Sequence, residues 1–179
     1  MTWVVMFLVL LAGALLQTWA PGPAWLGGAK CPFLMSAVLY YAFTRSPAVM
    51  LVAAAAAGVL QDGLSPIPFG YSSFCFSVVG LLAAAFRQLV LSESLTTQIL
   101  FGAAAAAAAT MGMHLLLSGA GLTPPAFGWT LLKVLGAALL GGVATPAVFR
   151  GTGALDRLVG NAGGEGEPEE RAHGFRWPA

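Results

Sequence analysis

A chain of 179 residues that is 58% hydrophobic and only 8% charged cannot clothe a water-soluble domain, whose charged share is usually about 25%. Mean hydropathy of +0.83 points to lipid as the solvent. A net charge of +1 excludes the strong field that nucleic acid or an acidic substrate would require.

A spanning helix takes about 20 mostly apolar residues, and the pattern predicts six, in a single domain. The first covers residues 2–20 and stops at Pro21-Gly22-Pro23. Its apolar start resembles a signal peptide, but the first basic residue is Lys30. With no positive leading region, it reads as a retained helix. Trp19 and Trp25 fit an aromatic belt at this end.

The second helix starts at 25 or 31 and runs to 44, before the turn Arg45-Ser46-Pro47. The third covers 48 to 60 or 64 and is rich in alanine. These two are short, so a tilted pair or a shallow hairpin is also open. The segment 61–70 holds two prolines and two glycines and interrupts the helix. A fourth helix covers 71–91 with Arg87 near its end, and Ser92-Glu93-Ser94 caps the next. The fifth, 97–117, contains the alanine run Ala103 to Ala109 and breaks at Gly119 to Pro125. The sixth covers 126–149.

Arg150 then closes a transmembrane domain of residues 1–150. Residues 151–179 form a Gly- and Glu-rich tail. Leu155 and Leu158 could extend a short helix, and disorder is expected beyond Gly160.

Orientation follows from the Lys/Arg bias. With six helices, both termini share a side with Arg45, Arg87, Arg150, Arg157, Arg171 and Arg176, and the other side receives Lys30 alone. Both termini and the tail are therefore expected in the cytoplasm, and the segment after the third helix faces outward. Cys31 and Cys75 have no metal-type spacing. A disulfide would need both near the outer face, and two free thiols is the simpler reading.

Helices in lipid associate through close packing and hydrogen bonds rather than hydrophobic drive. Ala53 to Gly58, Gly102 to Ala109, and Gly136, Gly141 and Gly142 offer smooth faces, suited to packing within the bundle or to a partner helix.

Charge at membrane depth is costly. Three candidates fall toward the outer half: Asp62, His114 and Lys133. Asp62 could pair with Lys133 or His114 and fix the following loop on the bundle. Alternatively Asp62 is solvated at a helix end and Lys133 snorkels outward. No nucleophile elbow, zinc-protease motif, phosphate loop or dinucleotide fingerprint occurs. We therefore expect no catalytic residues, metal or cofactor. Proton-coupled transport on a single Asp stays open.

The stretch Gly58-Val59-Leu60-Gln61-Asp62-Gly63-Leu64-Ser65-Pro66-Ile67-Pro68-Phe69-Gly70 resembles the signature of the rod shape-determining protein MreD family. That pattern has a Gly, an Asp four residues on, and a short loop closing with Pro, an apolar residue and Gly. Gly58, Asp62, Pro68 and Gly70 match it. The chemistry is sensible in itself: Gly58 admits a neighbouring helix, Asp62 can accept loop amides, Pro68 is rigid, and Gly70 makes a turn cheaply.

The resemblance implies a non-enzymatic component of the elongation machinery in the inner membrane. It would sit beside MreC, linked to the actin-like MreB and to the RodA–transpeptidase synthase of peptidoglycan. It also implies a fold similar to the S components of ECF vitamin transporters. A second reading follows from that likeness, a small-solute binding subunit of a transporter. Its pocket would be built from the outer loops, Trp25, Tyr71 and Trp129.

Overall fold

A computed structural model describes residues 2–20, 22, 26–65, 68–86, 94–121 and 127–159. These form six helices: α1 (Thr2–Trp19), α2 (Phe33–Thr44), α3 (Pro47–Gly63), α4 (Tyr71–Phe86), α5 (Leu95–Gly119) and α6 (Phe127–Leu158). Trp25, Pro66, Ile67, Arg87, Glu93 and the tail from Gly160 lie outside the described residues.

The central element is α2. It touches each of the other five helices, and every residue from Leu34 to Phe43 is buried. A helix apolar on all sides has no solvent face to offer, so it occupies the middle of a bundle. Its 12 residues span roughly 18 Å, short of the ~30 Å hydrocarbon core. By length and composition α1, α5 and α6 can cross a membrane, while α2, α3 and α4 are shorter apolar helices. On the outside of the bundle, Trp3, Val4, Phe7, Leu8, Leu15 and Leu16 of α1 and Leu135, Leu139 and Val143 of α6 stand exposed. Such an apolar exterior suits lipid, and the chain is a helical membrane-protein bundle.

Small residues set the close contacts. A Cβ on Gly58 would collide with the backbone of Ser73, so α3 and α4 meet main chain to main chain. The Ser73 hydroxyl then donates to the Ala55 carbonyl at 3.1 Å. Between α5 and α6, Gly102 and Ala106 face Gly141 and Thr145. A Cβ on Gly102 would lie 2.7 Å from the Gly141 carbonyl oxygen. Each side is a pair of small residues four apart, the spacing that brings membrane helices closest. Thr145 Oγ1 donates to the Gly141 carbonyl at 2.7 Å and lies 3.0 Å from Ser36 Oγ of α2. The smooth faces read from the sequence are thus used, at these positions, within the bundle.

The sixth helix does not stop at Arg150. It runs eight residues further, to Leu158, and buries Phe149, Thr152 and Asp156 along one stripe. Those positions are three and four apart, so they share a helical face. The boundary expected at 150/151 therefore falls inside a continuous helix. The fourth helix is described to Phe86, and Ser94 stands at the α5 N-cap without a side-chain capping bond.

Candidate functional site

Asp62 sits on the last turn of α3 and is 2% exposed. Its carboxylate accepts from the Gly70 amide at 2.7 Å and from the Ser72 amide at 3.2 Å. Ser72 is the second residue of α4, and Phe74 N–H bonds the Gly70 carbonyl as the first turn of that helix. Asp62 therefore caps the next helix from across the loop. A carboxylate is unfavourable at a helix C-terminus and favourable at an N-terminus, and here the α4 amides answer the charge. Gly70 has φ +102°, a conformation that costs glycine little. Beside this contact Pro68 and Phe69 stand exposed, Phe69 by 73%.

The expected pairing of Asp62 with Lys133 or His114 does not occur among the described residues, where the salt bridge is Arg45–Asp156. Nor is Asp62 solvated. Its carboxylate is aimed into the loop, where nearby backbone donors satisfy it. His114 and Lys133 instead line a separate cavity of about 460 Å³, together with Lys30, Gln17 and Gln61. Gln17 Nε2 donates to Gln61 Oε1, which ties the ends of α1 and α3 across the wall. The floor is apolar and includes Met35, Phe76 and Met113. His114 is five residues from the end of α5 and Lys133 six residues into α6, roughly 8 and 9 Å along their axes. Neither Tyr71 nor Trp129 lines this cavity, so those described members of the expected solute pocket do not form it. Trp129 points outward, 58% exposed.

At the opposite end of the bundle lies a second buried carboxylate, which the sequence reading did not pick out. Asp156 accepts from Tyr40 Oη at 2.8 Å and from the Arg45 guanidinium at 3.3 Å. Tyr40 packs edge-on against Tyr41 and Phe149 at centroid distances of 5.5 and 5.4 Å. The α2–α3 turn is thereby fastened to the end of α6. No group of three or more potential metal ligands exists among the described residues.

No curated protein and no solved structure matches the chain. A family model does match, that of rod shape-determining protein MreD, over residues 1–125. The match contains the whole 58–70 segment and ends just before α6. Because it covers more than half of the 179 residues, the chain belongs to the MreD family, a family of membrane components that determine rod shape.

Proposed function

We propose that this chain is a non-enzymatic scaffold of the cell-elongation machinery in the bacterial inner membrane. It spans the bilayer several times with both termini in the cytoplasm. It binds MreC, and through it joins MreB and the RodA–transpeptidase synthase to support peptidoglycan synthesis. The observation that carries the reading is the family match across a segment whose Asp62 holds the Gly70 amide beside the exposed Phe69. A held loop presents a docking surface with little ordering cost on binding. Orientation is supported by the placement of Arg45, Arg150 and Arg157 toward the end of the bundle opposite Lys30.

Depletion of the protein in its native host tests the reading. Cells grown in vitamin-rich medium should round up and widen. Normal shape, with a growth defect rescued by one nutrient, would overturn it. That result would instead favour a solute-binding transporter subunit, the reading to which the cavity at His114 and Lys133 gives support. At residue level, Asp62→Ala should insert normally yet capture less MreC from detergent extracts, and undiminished capture would remove the role given to the loop.

Cys31 tests the orientation. It is half-buried outside the helices, and burial pushes its thiol above the ordinary range. The thiolate is the reactive form. A membrane-impermeant maleimide added outside intact spheroplasts should therefore label Cys31 slowly at neutral pH and faster as pH rises. Labelling only after lysis would invert the topology.

A further inference from the structure

We propose that the cavity between the ends of α1, α3 and α5 and the start of α6 is a binding site for a phosphate ester that carries free hydroxyls, supplied by the headgroup of an anionic lipid. Lys30, His114 and Lys133 come from three separate elements, the segment before α2, α5 and α6, and all line one cavity. Among the described residues, no carboxylate lines it. Two lysines and a histidine with no carboxylate among the described lining select an anion, and a phosphate ester offers several oxygens to several donors at once.

The second observation is a hydrogen-bond acceptor left over. Gln17 is 7% exposed and lines the same wall, with its Nε2 committed to Gln61. Its Oε1 is buried and has no partner. An acceptor in that state calls for an O–H or N–H donor, so the occupant offers hydroxyls as well as negative charge.

The third is the cavity's amphipathic build. Lys30 and Lys133 line it and are exposed, while Met35, Phe76, Met113 and Leu117 give it apolar surface. At about 460 Å³ it lies within the range of small-ligand sites, ~300–1,000 Å³. Cations near helix ends with an apolar lining beneath them match a lipid whose headgroup enters and whose chains continue along the bundle. The site borders the Asp62 loop through Gln61 and Ser65, but its ligand does not depend on the scaffold assignment.

The test uses the full-length protein in detergent. Native mass spectrometry would follow the retention of phosphatidylglycerol, phosphatidylcholine and phosphatidylmethanol, the last having the same charge without the hydroxyls. Phosphatidylglycerol should be retained at least tenfold better than phosphatidylcholine. The preference should fall to near unity in a Lys30→Met, Lys133→Met double variant. Both lysines are exposed, so the fold tolerates their loss. Arg150→Met, an exposed cation toward the other end, should change nothing. Gln17→Leu should erase the preference for phosphatidylglycerol over phosphatidylmethanol and leave the charge selectivity intact. Binding of glycerol phosphate alone, lost in the same double variant, would keep the site and assign it to a soluble ester. Equal retention of charged and zwitterionic lipid, or indifference to the double variant, would overturn the proposal. Because the readout is ligand retention, its failure leaves the cell-shape result untouched.

Discussion

Two aspartates, one toward each end of the bundle, are buried to nearly the same degree, Asp62 at 2% and Asp156 at 3% exposed, yet they are satisfied in opposite ways. Asp62 takes backbone amides eight and ten residues downstream. Asp156 takes the side chains of Tyr40 and Arg45, more than 100 residues upstream. The first arrangement folds one loop around a carboxylate and needs no second charge. The second ties the start of the chain's core to the end of its last helix and does need one. A local device fixes a surface, while a long-range device fixes the assembly of helices.

The sharpest way to break this contrast is Arg45→Met. It leaves Asp156 buried with its guanidinium partner gone, a situation that costs about 3–5 kcal/mol. The double variant Arg45→Met, Asp156→Asn removes both charges and should recover most of that loss. Thermal unfolding in detergent, read by tryptophan fluorescence, measures both. A single variant as stable as wild type would show that the ion pair does not hold α6 to the turn.

The same contrast explains what could be read in advance. Six helices were legible because the apolar runs are punctuated by Pro21, Pro47, Pro66, Pro68 and Gly119. Gly58, Asp62 and Gly70 were legible as a group through the resemblance to the family signature, and the local chemistry of Asp62 and Gly70 agreed with it. A carboxylate at the end of one helix, eight residues from a glycine that opens the next, has loop amides within reach. Asp156 was hidden for the complementary reason. Its partners are remote in sequence, and Gly151 and Gly153 around it suggest that the helix has ended. The available signal was the stripe Phe149, Thr152 and Asp156, which continues the buried face of α6. His114 and Lys133 were expected as partners of Asp62, and they line a cavity instead. Helix rotation decides which wall a side chain lines, and periodicity is weak where alanine fills every face.

Next in size is Gly58→Ala. The added methyl meets the Ser73 backbone, which cannot swing aside as a side chain would. Overpacking of this kind costs typically about 1–3 kcal/mol, and the upper part of that range is expected. Asp62→Asn should follow at about 2 kcal/mol, within the ~1.5–3 kcal/mol of hydrogen bonds to a charged group, since the amide keeps one acceptor oxygen. The two variants should differ in where they act. Hydrogen exchange should rise at Gly70 and Ser72 in Asp62→Asn, and along both α3 and α4 in Gly58→Ala. Identical exchange maps would mean that the loop and the helix contact are one unit.

The smallest effect has the opposite sign and isolates the loop from the helix that carries it. Gly63 is the last residue of α3, beside Asp62, and a Cβ there would meet nothing within 4 Å. Its backbone is not among the positive-φ glycines, so alanine fits the native conformation without strain. Alanine also narrows the range of unfolded conformations, which stabilises such sites by about 0.4–1 kcal/mol. Gly63→Ala should therefore raise the midpoint of thermal unfolding slightly and leave exchange at Gly70 unchanged. If the variant instead destabilises, or frees the Gly70 amide, then Gly63 must move for Asp62 to hold the loop. The local device would then depend on a flexible joint rather than on the carboxylate alone.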